Sequence, residues 1–311
     1  MGAGQFPNET GESGEFERQE DAFRDWISEG GPYQPEADRY HVYVCLACPW
    51  ASRTIIARKI KGLEGIIGMT VVDPIRDERG WAFREGPGHS ADPINHFQYL
   101  SEAYRASDPN FDGRVTVPVL WDKKTKRIVN NSEDDICRMF NSAFPQARGN
   151  GYDLFPADIA DEHATLSTFL YETVNNGVYR AGFATSQRAY ELACERLFKA
   201  LDELEGRLAT RRFLFGNRIV DADWKLFCTL IRFDAVYHGH FKCNLRRIVD
   251  YPALDGYLRD LYQQPGIAST VNLDHIKRHY YVTHTEINPT QIVPLGPILE
   301  LDRPHGRERL G

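Results

Sequence analysis

The spacing of apolar and polar positions divides the chain into two textures. Residues 1–38 are rich in Gly, Glu, Asp and Pro and read as an irregular arm, with one helical candidate at DAFRDWISEG. From Arg39 the pattern tightens. RYHVYVCL is a strand-like run that ACPW breaks, and SRTIIARKIKGLEG follows with Ile56, Ile60 and Leu63 on one helical face and Gly62 or Gly65 as a stop. GIIGMTVVDP is a second β-branched run, so strand, helix and strand imply a parallel pair joined by a crossover. Residues 75–112 are charged and aromatic without a clear period, as expected of a long surface insertion. RVTVPVLWD and KRIVN then predict two strands linked by the turn DKKTK, and SEDDICRMFNSAF predicts a helix with Ser132 and Asp135 at capping-box spacing.

The order β-α-β, a break, then β-β-α is that of a thioredoxin-like domain, expected here over residues 39–148. The second half reads differently. ADEHATLSTFLYETV, SQRAYELACERLFKALDELEGRL, DADWKLFCTLIRFDAVY and YPALDGYLRDLYQQ all carry amphipathic helical spacing. They predict an all-α domain over 155–284, about 130 residues and within the usual domain range. The Pro- and Gly-rich stretch INPTQIVPLGPILELDRPHGRERLG predicts an irregular tail, 285–311, draped over the body.

The chain has 311 residues, 42% of them hydrophobic and 26% charged, enough to bury a core in each domain. Its net charge of −7 disfavours nucleic acid as a partner. No apolar run approaches a membrane span, and the first twenty residues are too polar for a secretory signal. The six cysteines form one close pair, Cys45 and Cys48, and four scattered singles. That is a poor disulfide framework and fits a reducing, cytoplasmic compartment.

Cys48 follows a strand, precedes Pro49 and opens a helical pattern. Proline suits the first helical turn, because its missing N–H would be unpaired there. Cys48 is therefore expected where the free N–H groups and positive dipole end of a helix favour thiolate over thiol. A buried, inert cysteine is the ordinary alternative. The Cys45-x-x-Cys48 spacing also suggests zinc, but no second Cys or His pair stands at the separation a four-ligand site needs. Cys45 reads either as a resolving thiol or as a strand residue, and the strand reading is preferred.

Val117-Pro118 interrupts an apolar strand, where a trans proline would break the ladder. In thioredoxin-like folds this position holds a cis proline beside the active-site cysteine, and the preceding residue offers its backbone to a peptide ligand. A trans proline on an edge strand is the alternative. Read with Cys48-Pro49, the pair points to a site for a small peptide, of which glutathione is the commonest.

YHVYVCLACPWASRTIIARKI resembles the active-site segment of the xi-class glutathione transferases, the glutathionyl-hydroquinone reductases, with their Cys-Pro-Trp-Ala. GRVTVPVLWDK, TVNNGVYRAGFATSQ, LIRFDAVYHGHFKCN, DHIKRHYYVTH, INPTQIVPLGP and the PHGRER tail are similar to further segments of that family, so the resemblance spans nearly the whole chain.

The resemblance implies a glutathione transferase fold (an N-terminal thioredoxin-like domain and a C-terminal helical domain), a homodimer, and glutathione as co-substrate without metal or nucleotide. It implies Cys48 as the attacking thiol. Trp81 would pack against glutathione, Arg114 would hold a carboxylate, and Val117 beside Pro118 would pair with the cysteinyl backbone. Tyr179, Tyr237 and Tyr280 would line an aromatic-substrate pocket, although most of the 15 tyrosines must simply pack with a hydroxyl at the surface. His238, His240, His275, His279 and His284 lack metal-ligand spacing and are expected to be structural or surface residues.

Three positions depart from the family. Glu-Ser is usual at the start of the helix that binds the γ-glutamyl group, where this chain has Ser132-Glu133. Val220 stands at a cap position three residues before Asp223, where Ser or Thr is usual, a loss typically worth about 1 kcal/mol. Cys45 replaces the more usual serine.

The implied reaction removes glutathione from a glutathionyl-hydroquinone through a Cys48–glutathione mixed disulfide, which a second glutathione resolves. Two other functions remain open at this point. One is an omega-like thioltransferase that deglutathionylates proteins or small adducts. The other is a carrier of aromatic ligands on the same fold, against which an activated cysteine argues.

Overall fold

The computed structural model describes residues 20–147 and 151–310, so the arm expected over residues 1–38 lies outside the described residues up to residue 19. The chain divides into two units. Glu20–Asp153 with Thr270–His279 forms one; Leu154–Ser269 with Tyr280–Gly311 belongs to the other.

The first unit is built on a four-stranded sheet in the order β2-β1-β3-β4, from β1 (Tyr40–Val44), β2 (Ile67–Val71), β3 (Val119–Asp122) and β4 (Arg127–Asn130). β1 runs parallel to β2 with Tyr40 opposite Ile67, and antiparallel to β3 with Tyr40 opposite Asp122. β1 is buried along its whole length, as an inner strand covered on both faces should be. The crossover helix α1 (Pro49–Ile60) ends where the pattern allowed, at Gly62 rather than Gly65. Gly62 takes φ +68°, its N–H meets the Lys59 carbonyl at 3.1 Å, and Leu63 N–H meets that of Arg58 at 2.9 Å. This is a Schellman closure, which needs the left-handed conformation that glycine adopts without strain.

Four expectations need correction. DAFRDWISEG is not helical. Its backbone runs beside β4, with Asp25 N–H donating to Val129 (3.0 Å) and Asn131 N–H to Phe23 (3.1 Å), while Ile27 is 1% exposed. An open sheet edge offers these peptide groups partners that outweigh a weak helical spacing. Residues 75–112 are not only a surface insertion. They contain α2 (Leu100–Ser107), with Leu100, Ala103, Tyr104 and Ser107 buried against the sheet, and a loop organised by buried Asp92, which accepts N–H groups from Ile94, Asn95 and Phe97. The strand expected from RVTVPVLWD starts only at Val119, after the proline that has no N–H to donate. Finally, Ser132 is the N-cap of α3 (Glu133–Ser142) but its hydroxyl makes no capping bond. Asn130 serves the turn instead: it accepts Ser132 N–H at 2.7 Å and donates to Asp135 at 3.0 Å, and Asp135 also pairs with Arg24.

The second unit is helical: α4 (Ala160–Leu170), α5 (Gly177–Gly182), α6 (Gln187–Leu208), α7 (Asp221–Arg232) and α8 (Pro252–Tyr262); of α9 (Leu273–Thr283), the residues up to His279 belong to the first unit and those from Tyr280 to the second. α5 and α9 lie outside the four segments that the periodicity marks. Ser186 caps α6, accepting Ala189 N–H. All twelve residues of α7 are buried, which makes it the axis of the unit. α4 and α7 each run into a π-helical turn, Tyr171–Asn175 and Phe233–Tyr237. Val220, at the N-terminus of α7, has no side-chain acceptor to offer, but Asp223 reaches back to Val220 N–H at 2.9 Å and also accepts Leu214 N–H (2.9 Å) and the Tyr257 hydroxyl (2.8 Å). The irregular tail is fastened by Arg307, 4% exposed, which donates to the carbonyls of Leu208, Arg211, Arg212 and Ala253.

Candidate active site

Cys48 is placed by the chain's passage from β1 to α1. A turn returns Cys48 N–H to the Cys45 carbonyl at 3.1 Å, and Pro49 occupies the first helical position. Cys48 is thus the N-cap residue, and its own carbonyl accepts both Ser52 N–H and the Ser52 hydroxyl at 3.0 Å. Its sulfur sits at the positive end of a twelve-residue helix, where negative charge is favoured. Cys48 is 9% exposed, at the boundary of burial, whereas Cys45 is 0% exposed. Cys45 lies one residue past the end of β1, so it opens the turn to Cys48 rather than lying in the strand as the sequence suggested.

The Cys48 sulfur lies 3.6 Å from the Val117 carbonyl, and the Val117–Pro118 bond is cis. The segment that carries Val117 is fixed by α2. The Tyr104 hydroxyl donates to the Thr116 carbonyl at 3.0 Å and accepts Thr116 N–H at 3.1 Å. Burial of Tyr104 pushes its pKa up to about 12, so it acts as a neutral hydroxyl at any physiological pH. Arg114 is half-buried three residues before Val117.

At the N-terminus of α3, Ser132 is 5% exposed and is followed by Glu133, Asp134 and Asp135. Three carboxylates in a first turn suit the helix dipole but repel one another. Arg53, reaching across from α1 and 2% exposed, sits 3.2 Å from Glu133 and 2.5 Å from Asp134. Sequence reasoning missed this residue. The available signal was a charged side chain amid Ile55, Ile56 and Ala57 on a helix with several buried faces.

Trp81 is 5% exposed and stacks on His279, with ring centroids 5.2 Å apart and planes at 22°. Arg76 lies 5.6 Å from the Trp81 ring centre, in cation–π range. The His279 Nδ1–H donates to the Pro74 carbonyl at 2.7 Å, which fixes the ring against the tryptophan. His275 is tied in the same way to Pro87 at 2.7 Å. Both rings are thus anchored to backbone carbonyls. Among the described residues no three His, Cys, Asp or Glu side chains are grouped as metal ligands would be.

In the helical unit the three tyrosines do converge. The Tyr280 hydroxyl is 2.6 Å from that of Tyr179 and 3.0 Å from that of Tyr237. Burial raises the pKa of Tyr237 and Tyr280 well above 10, so both remain proton donors at neutral pH. Around them, the Tyr237 and Phe241 rings stack at 5.5 Å, and His240 Nε2 meets His284 Nδ1 at 3.1 Å. Tyr281, next in sequence, turns instead to the His240 ring at 4.8 Å.

Comparison with known proteins follows these two halves. Residues 47–143 match the family described as Glutathione S-transferase, N-terminal domain, and residues 187–260 match Glutathione S-transferase, C-terminal domain. The chain is 49% identical to glutathionyl-hydroquinone reductase YqjG of Escherichia coli, over 95% of this chain and 93% of that one. It is 48% identical to glutathionyl-hydroquinone reductase PcpF of Sphingobium chlorophenolicum, over 91% and 90%. Among solved structures it superposes on the glutathione-bound structure of YqjG with a TM-score of 0.89, covering 92% of this chain and 96% of that one at 49% identity. A glutathione-S-transferase Xi from Phanerochaete chrysosporium gives a TM-score of 0.88 at 48% identity, over 91% and 98%.

Proposed function

Because this chain belongs to the xi-class glutathione transferases, the family of the glutathionyl-hydroquinone reductases, we propose that it reduces glutathionyl-hydroquinones with Cys48 as the nucleophile. The observation that carries the reading is the position of the Cys48 sulfur, at a helix N-cap and 3.6 Å from the carbonyl before a cis proline.

In the first step the Cys48 thiolate attacks the glutathione sulfur of the substrate. The bond from that sulfur to the ring carbon breaks, and the ring carbon keeps the electron pair and takes a proton. Hydroquinone and a Cys48–glutathione disulfide result. In the second step another glutathione thiolate attacks the glutathione sulfur of that disulfide, releasing oxidised glutathione and returning the Cys48 thiolate. The tripeptide lies along Val117 and Pro118. Trp81 packs against it, Arg114 takes a carboxylate, and Ser132 with Glu133 takes the γ-glutamyl end. Tyr179, Tyr237 and Tyr280 receive the aromatic ring. The hydroxyls of Tyr237 and Tyr280, held protonated by burial, steady charge on the phenolic oxygens or deliver the proton. The segments 39–148 and 155–284 are the glutathione-binding and aromatic-substrate domains, with 1–38 and 285–311 as arm and tail. The enzyme works as a cytoplasmic homodimer, a reading supported by its cysteine usage and its family.

A thioltransferase reading is favoured by one observation: the chain is also 45% identical to a Glutathione S-transferase omega-like 2 of Schizosaccharomyces pombe. One assay separates the two. Purified protein and a Cys48→Ser variant are given a glutathionyl-hydroquinone with excess glutathione. Release of hydroquinone by the wild type alone is expected. Activity confined to simple mixed disulfides supports the thioltransferase, and binding without release supports a carrier.

A further inference from the structure

Cys45 and Cys48 are the ends of one four-residue turn, closed by the 3.1 Å hydrogen bond from Cys48 N–H to the Cys45 carbonyl. A turn of this kind keeps its end Cα atoms within about 7 Å. A disulfide spans Cα separations of about 4.4–6.8 Å, so the backbone already meets the first requirement for joining the two sulfurs. Access to the two thiols differs. Cys48 is 9% exposed and Cys45 is 0% exposed. Of the two, Cys48 is the more open to a dissolved disulfide.

We propose that Cys45 is a second redox-active thiol, which resolves the Cys48–glutathione disulfide from within when free glutathione is scarce. The proposal rests on the reading of Cys48 as the attacking thiol. Cys45 gives up its proton and its sulfur attacks the Cys48 sulfur. The bond between Cys48 and glutathione breaks, and the departing glutathione thiolate takes up a proton. One disulfide is exchanged for another and no external oxidant enters. A glutathione that attacks the Cys48 sulfur of the internal disulfide restores the mixed disulfide, and a further one releases oxidised glutathione, so two glutathiones return both cysteines to thiols. The internal disulfide shields Cys48 from progressing to sulfinic acid.

The test uses the full chain, reduced and then exposed to oxidised glutathione, with the excess removed and the protein followed by intact mass and peptide mapping. Wild type is expected to pass through the glutathione adduct to a glutathione-free species two hydrogens lighter, with Cys45 and Cys48 in one disulfide-linked peptide. Cys45→Ser and Cys45→Ala are expected to hold the adduct about 100-fold longer or more, because an internal thiol acts at a high effective concentration. Wild type that keeps its adduct as long as both variants overturns the role of Cys45 and leaves that of Cys48 standing. Failure of all three proteins to form any adduct overturns both.

Discussion

The Arg53 guanidinium lies 3.2 Å from a carboxylate oxygen of Glu133, although 80 residues separate them in sequence. It also meets Asp134 at 2.5 Å, so one buried cation of α1 balances two acids in the first turn of α3. This pairing fixes Glu133, to which the proposed function gives the γ-glutamyl end of glutathione. Replacing Arg53 by Met leaves both acids without this partner. The expected loss is about 2–3 kcal/mol, below that of a fully buried pair because Asp134 is half-exposed. The KM for glutathione is expected to rise more than kcat falls. Arg53→Lys keeps the charge without the fork and should recover only part of the loss. Chemical denaturation and steady-state kinetics on both variants check this.

Asp223 makes half of a capping arrangement whose other half is missing. It accepts Val220 N–H at 2.9 Å, while Val220 can return only its backbone carbonyl, 3.0 Å from Asp223 N–H. Val220→Thr is nearly isosteric and adds an acceptor at this N-cap. Thermal unfolding should show a gain of about 0.5–1 kcal/mol, the usual worth of a cap less the cost of enclosing a hydroxyl. Asp223→Ala is expected to cost about 3–5 kcal/mol, since Leu214 N–H, Val220 N–H and the Tyr257 hydroxyl lose their acceptor together.

Arg307 fastens the tail through four backbone carbonyls and lies 6.0 Å from the centre of the Tyr257 ring. Arg307→Ala is expected to destabilise the protein by about 3 kcal/mol, leaving those carbonyls without their donor. Limited proteolysis should then cut within residues 290–311 under conditions that leave the wild type intact.

Stability should rise with pH near pH 5. Burial lowers the pKa of His41 and His240 from 6.5 to about 4. In this range the unfolded chain therefore binds two protons that the native protein refuses. That stability is complete above pH 6.5 and is lost as pH falls toward 4. Asp223 acts in the opposite sense. Its pKa is pushed up to about 6 by burial, so its contribution is greatest at low pH and fades as pH rises through 6. For these three groups the balance near pH 5 is one proton, a slope of about 1.4 kcal/mol per pH unit. Urea unfolding between pH 4.5 and 5.5 measures it, and His41→Gln should remove most of the slope.

The legible parts of the sequence were those set by local chemistry. The change from two-residue to helical period at Cys48-Pro49 announces β1, α1 and the candidate nucleophile between them, and Val117-Pro118 announces the backbone beside it. Partners far along the chain left no such trace. The capping-box spacing of Ser132 and Asp135 is present, yet Asp135 is drawn to Arg24, 111 residues away, and to Asn130. DAFRDWISEG has helical spacing, but the edge of β4 takes its peptide groups. α2 is short and lies among charged residues, so its buried Leu100, Ala103, Tyr104 and Ser107 do not stand out as a period. The tyrosines emerged only through family resemblance. No rule of spacing brings Tyr179 within 2.6 Å of Tyr280.

The most direct test of the central claim is a single turnover without free glutathione. Protein in excess is mixed with a glutathionyl-hydroquinone, quenched in acid and mapped by mass spectrometry. The account predicts hydroquinone released in proportion to oxidised Cys48, carried as a glutathione adduct or as a disulfide with Cys45. Hydroquinone released while Cys48 remains an unmodified thiol would contradict it.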